Sequence, residues 1–223
     1  MSDSSLTNGA RKYRAILLFG MPGSGKGTQG AILGQLPDLV HISCGDIFRK
    51  LSKFGKLHKE VLQYTSAGKL VPDELTIRIW ERQIRILELQ ELLIPDYHFL
   101  VLDGLPRNLE QARMMDKFLD VIQIFHLKIT DTDKARERLK ARALRENRLD
   151  DSRDDVIAER IRTYYRETEA ALSFYKPSLI YDVDASQTPI DVLRQIIDRL
   201  SELSHQRHAR PVESTDELVH SGL

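Results

Sequence analysis

The chain has a single cysteine, Cys44, among its 223 residues. One thiol excludes an internal disulfide and any zinc site built from cysteines, and it fits a reducing compartment. Net charge is also missing, because 33 lysines and arginines balance 33 aspartates and glutamates. No whole-protein field gathers a polyanion, so no nucleic-acid partner is expected and any basic site has to be local. Long apolar runs are absent too. None approaches the roughly 18 residues that span a bilayer, and the polar opening residues lack the apolar core of a leader. The expectation is a cytoplasmic monomer with no membrane partner. What is present is a globular composition, 41% hydrophobic and 30% charged, enough for a full core and most simply one domain.

Short apolar runs alternate with longer amphipathic ones, the pattern of an α/β protein whose parallel sheet carries helices on both faces. Five strands are predicted, at residues 15–19, 40–42, 99–102, 121–127 and 179–183. The first and third are wholly apolar, as strands buried on both sides should be. Helices are predicted at residues 26–36, 46–54, 58–67, 74–93, 109–119, 133–144, 155–175 and 190–203. The resulting organisation is a disordered segment at 1–13, one domain at 14–204 and a solvated tail at 205–223. Two stretches break the alternation, at about 43–72 and about 144–155, and both are expected to act as flaps over a site.

The first strand runs directly into Gly20, Met21, Pro22, Gly23, Ser24, Gly25, Lys26, Gly27, Thr28 and Gln29. Glycines at this spacing let backbone N–H groups converge on phosphate oxygens. The helix that follows presents its positive end, and Lys26 adds a mobile charge. This is a phosphate-binding loop, with Gly23, Ser24, Gly25, Lys26, Gly27 and Thr28 as its ligand-facing residues. It departs from the general motif by placing Gly27 after the lysine and the hydroxyl one later, at Thr28.

That form of the loop resembles the adenylate kinase family, and the likeness extends from Ala15 to Leu203. Ile42 to Arg49 is similar to the family's ISTGDxxR block, Gly68 to Leu75 to its GKLVPDEL block, and Leu102 to Arg107 to its LDGFPR signature. The resemblance implies a five-stranded P-loop kinase with an acceptor flap and a short lid. It implies reversible phosphoryl transfer from Mg-ATP to AMP, giving two ADP. Cys44, Arg49, Leu70, Val71, Gly104, Arg107 and Gln111 then fall at acceptor positions, and Asp103 at a position that orients magnesium through water. In the lid, Arg138 and Arg142 lie four apart on one helix face. Arg148 opens an RxDD segment and Arg160 follows. The resemblance gives Arg138 and Arg142 to ATP and Arg148 and Arg160 to AMP. It makes Lys26, Arg107, Arg142, Arg148 and Arg160 the catalytic set. One extra residue stands between Asp151 and Arg160, and the short lid has no thiols, so zinc is not expected.

The chemistry agrees with these assignments, since two nucleotides bring many negative charges into one cleft and arginine grips phosphate bidentately. An acceptor phosphate is already an oxyanion, so no general base is demanded. His41 and His126 lie in predicted strands and read as hydrogen-bonded structural histidines. Acceptor identity is contested by two residues. Cys44 stands where adenylate kinases usually carry threonine, and Asn108 is similar to pyrimidine-specific relatives, which leaves a UMP/CMP kinase as the alternative. Gln111 favours AMP, because a primary amide complements the adenine edge. A nucleotide-binding switch without turnover is the reading from another class, and the acceptor arginines argue against it.

Overall fold

The structure, a computed structural model, describes residues 12–51, 55–146 and 153–208. The expectations for 1–11, for the lid segment at 147–152 and for the tail beyond 208 lie outside the described residues. The five strands form one parallel sheet: β1 (Tyr13–Phe19), β2 (Leu39–Ser43), β3 (Phe99–Asp103), β4 (Leu119–Lys128) and β5 (Ile180–Asp184). The order is β2-β3-β1-β4-β5. Helices connect them: α1 (Lys26–Leu33), α2 (Cys44–Lys50), α3 (Lys56–Thr65), α4 (Asp73–Leu89), α5 (Leu109–Asp116), α6 (Thr132–Glu146), α7 (Asp154–Thr163) and α8 (Pro189–His208).

Strand β1 explains why the sheet is central. Its side chains alternate, so Ala15, Leu17 and Phe19 enter one core with Leu100, Leu102 and Trp80. Ile16 and Leu18 enter the other with Val101, Phe125 and Leu127. Each fully buried aliphatic side chain contributes about 1.5–3 kcal/mol. Residues 15–19, all buried, make β1 the strand that the fold can least spare.

Local differences from the sequence reading have identifiable causes. The helix expected at 46–54 starts earlier, at Cys44, because Ser43 caps it by accepting the Asp46 N–H at 3.3 Å. The helix expected at 109–119 ends at Asp116, since Leu119 already pairs with Tyr13 in the sheet. The one expected at 155–175 stops at Thr163 and continues as a π turn over Tyr164–Thr168, then a 3-10 turn over Ala170–Phe174. Tyr164 is held there by its hydroxyl, 2.9 Å from Nε2 of His126 on β4. The final helix reaches His208.

Register brings the carboxyl ends of the strands to one level. Leu18 is paired with Asp103, Ser43 with Asp103, and Phe19 with His126. The residues that follow these ends therefore rim one crevice: Gly20 after β1, Gly45 after β2, and Gly104 after β3. In open α/β sheets that crevice, beside the point where strand order reverses, is where ligands bind. Here the reversal is at β1, because α1 leads to one side and the connection after β3 crosses to the other.

Candidate active site

The loop between β1 and α1 is shaped by its glycines. Gly23 has φ of 86°, and a Cβ there would lie 2.5 Å from the Ala135 carbonyl oxygen on α6, so no other residue fits without moving the loop. Lys26 folds back over the loop, with Nζ donating to the carbonyls of Gly20 at 2.6 Å and Met21 at 3.0 Å. Burial lowers its pKa to about 8. The Asp103 carboxylate opposes that shift, and the guanidinium groups of Arg107, Arg142 and Arg160 add to it. Ser24 is buried, and its hydroxyl oxygen has no hydrogen-bond partner among the described residues. It lies against Gly20, 2.6 Å from where a Cβ of that residue would stand.

The loop forms one wall of a cleft of about 570 Å³, within the range of small-molecule sites. Gly23, Ser24, Gly25, Lys26, Gly27 and Thr28 all line it. On the opposite wall stand Arg49, Leu70, Gly104 and Arg107, with Asp103 at the floor. Arg138, Arg142 and Arg160 also line the cleft, and Arg148 lies outside the described residues. The spacing argument thus brings both arginines of α6 to one wall. Arg138 is tied to the loop after β5, donating to the carbonyls of Ala185 at 2.8 Å and Gln187 at 3.3 Å.

Arg49 and Arg107 are each held by a contact close in sequence. Arg49 is paired with Asp46 one turn before it on α2. Arg107 donates from Nε to the Gly104 carbonyl at 2.9 Å. Gly104 has φ of 76°, and a Cβ there would lie 2.9 Å from Nη2 of Arg107. Three residues assigned to the acceptor do not line the cleft. Cys44 and Val71 are 4% exposed and pack in the core, and Gln111 is 1% exposed just behind the wall. Burial pushes the Cys44 thiol up to about 11, so it is neutral near pH 7. Asn108 caps α5, accepting the Gln111 N–H at 2.7 Å, which gives its side chain a structural task.

The histidines divide. His126 has the partners expected of a structural histidine, Asp182 at 3.2 Å and Tyr164 at 2.9 Å. His41 does not: its Nε2 has no partner among the described residues, and its ring lies over α1 where Gly30 and Gly34 leave room. Burial lowers both pKa values.

Sequence reasoning missed part of the cleft lining. Thr163 and Tyr164 line it beside Arg160, and their i+3 and i+4 spacing was the available signal. Ala185, Gln187 and Pro189 line it after β5, where the strand-end rule pointed. Gln29 joins these regions, with Nε2 donating to the Pro189 carbonyl at 2.9 Å.

For a divalent cation the fit is specific. Among the described residues no group of three or more His, Cys, Asp or Glu can hold a metal. Asp103 faces the loop, its Oδ2 3.5 Å from where a Cβ of residue 27 would stand. A single carboxylate suits magnesium that arrives coordinated by nucleotide phosphates and keeps its waters.

The family model described as adenylate kinase matches residues 18–179. The chain belongs to the adenylate kinase family. It is 35% identical to an adenylate kinase of Cyanothece over 199 residues, covering 86% of this chain and 97% of that protein. It is 36% identical to one of Nocardia farcinica over 178 residues, covering 76% and 89%. It is 37% identical to one of Rhodococcus erythropolis over 179 residues, covering 76% and 90%. The α/β architecture and five-stranded parallel sheet are those expected of an adenylate kinase. No helix among the described residues is long and apolar enough to cross a membrane.

Proposed function

We propose that this chain moves the terminal phosphoryl group of Mg-ATP onto AMP, giving two ADP, as a cytoplasmic monomer. The observation that carries the reading is one cleft with a phosphate loop on one wall and Arg49 and Arg107 on the other. A switch protein has no need of the second wall. The single buried thiol suits a reducing compartment.

In this mechanism the glycine N–H groups and Lys26 hold the ATP phosphates. Arg49 and Arg107 hold the acceptor α-phosphate, with Gly104 and Leu70 beside them. Arg142, Arg148 and Arg160 neutralise charge on the moving group, and Arg138 steadies the donor side. Magnesium, oriented by Asp103 through water, would screen the ATP phosphates. No zinc enters the scheme. The acceptor phosphate attacks without a base, so the work is positioning, charge stabilisation and exclusion of water. Gln111 serves AMP because its amide keeps one lone pair and one hydrogen for the adenine edge once the flap at 43–72 moves. Cys44 and Val71 support that edge from the core.

Purified protein incubated with Mg-ATP and AMP, CMP or UMP, with ADP formation followed, tests the reading. ADP forms fastest with AMP. Faster reaction with CMP or UMP would reassign the acceptor, and no reaction with any of them would leave a nucleotide-binding protein.

A further inference from the structure

The first residues of α4 and α5 meet at one carboxylate oxygen. Asp73 opens α4, directly after the flap. Its Oδ1 accepts the Nε2–H of Gln111 at 2.8 Å and the Nδ2–H of Asn108 at 2.9 Å. Gln111 passes the constraint on, because its Oε1 accepts the backbone N–H of Arg107 at 2.7 Å. Arg107 is then closed onto the Gly104 carbonyl on the cleft wall.

We propose that Asp73 is a positioning residue, acting through the Gln111 amide, that sets where Arg107 meets the acceptor phosphate. This rests on the acceptor reading above. Two opposed partners decide the orientation of the amide, since a carboxylate only accepts and a backbone N–H only donates. A flipped Gln111 would set oxygen against oxygen at Asp73 and N–H against N–H at Arg107, with the Gln111 amide itself buried. The bond to Asp73 is also charge-assisted and so stronger than a neutral one. Removing the acceptor oxygen at 73 frees the amide to turn, and the turn that carries Arg107 loses its fixed hold. The flap and the phosphate-gripping arginine are thereby joined through one side chain. The α-phosphate is common to all nucleoside monophosphates, so the loss at Arg107 extends to every base, and for AMP the disturbed Gln111 contact to adenine adds to it.

The test uses the full chain carrying Asp73→Ala or Asp73→Asn, with steady-state rates on Mg-ATP against AMP, CMP and UMP, and a melting curve for each protein. Asp73→Ala should raise the KM for AMP about 10-fold while the KM for ATP stays within about 2-fold, a change of the size that small misplacements of a binding group produce. A rise should appear for every monophosphate turned over measurably, largest for AMP. Asp73→Asn retains an acceptor oxygen and should recover most of the loss. An unchanged KM for AMP, an equal rise for ATP, or a rise confined to AMP overturns the proposal. So does an asparagine variant no better than alanine, which would place the effect in the charge at the start of α4. Should Asp73→Ala fail to fold, Asp73→Ser must show the same acceptor-only rise. Wild-type protein that forms no ADP from any monophosphate overturns the acceptor reading and this proposal together, and does so before any substitution is made.

Discussion

The two walls of the cleft are built from different material. The donor wall is backbone: a strand end, a run of glycines and the first turn of α1, with Lys26 as its one charged side chain. The wall proposed for the acceptor presents side chains: Arg49 steadied by Asp46, and Arg107 steadied by the Gly104 carbonyl and by Gln111, which is itself held by Asp73. A backbone site is stiff because its donors cannot rotate. A side-chain site is only as stiff as the bonds that hold its members. Substitutions on the donor wall should therefore cost chemistry, and those on the acceptor wall should cost affinity.

The largest effect belongs to Lys26→Met. Losing one preorganised charge from the transition state costs about 3–4 kcal/mol, so kcat should fall roughly 100- to 1,000-fold. The lysine points at ligand and at loop carbonyls, so the melting curve should hardly move. Near-normal turnover would remove Lys26 from the site.

Arg107→Ala comes next. The KM for AMP should rise about 10- to 100-fold, as expected for a charge-assisted phosphate contact worth ~1.5–3 kcal/mol, with ATP affinity nearly unchanged. Titrating each nucleotide separately decides it, and the opposite pattern would mean that the walls have been exchanged.

pH separates the walls in a third way. Lys26 is held at about 8, below its ordinary 10.5. As pH rises through about 8 the free enzyme loses this charge, and kcat/KM for ATP should decline. Between about 8 and 10.5 the unfolded chain holds the proton that the folded one has released, so the contribution of Lys26 to stability grows with pH. Activity and stability should thus move in opposite directions across one window. Lys26→Arg, charged throughout, should abolish the decline in whatever activity it retains.

The smallest effect is at Cys44. Its side chain packs in the core, so Cys44→Thr should leave the AMP to CMP ratio of kcat/KM within about 3-fold, below what one gained base contact would produce. A larger shift would bring residue 44 onto the acceptor wall.

The same difference in material explains what was legible in the sequence. Five strands and the donor loop announce themselves through apolar runs and glycine spacing, because those patterns are local. Arg49 and Arg107 were readable only as arginines after strand ends. Their direct partners lie within four residues, but the Asp73 carboxylate that fixes Gln111 is 38 residues away from it, and no local pattern carries such a pairing. His41 shows the converse failure. Its partnerless ring depends on Gly30 and Gly34 of a neighbouring helix, so a strand position alone invited the wrong expectation of a hydrogen bond. The π turn at Tyr164 was hidden for the same reason, as it coincides with a contact to a distant strand.

The strand order also governs when the donor wall is finished during synthesis. The glycine loop leaves the ribosome before β3 and β4, yet β1 is flanked by β3 on one side and β4 on the other. The loop then rests against Leu127 and Ala135, and Gln29 is secured by Pro189. A nascent chain halted after α7 carries the whole nucleotide motif without β5 or the loop that steadies Arg138. Such a chain holds the signature of the site before it holds the site, and a stretch translated later completes a part encoded earlier.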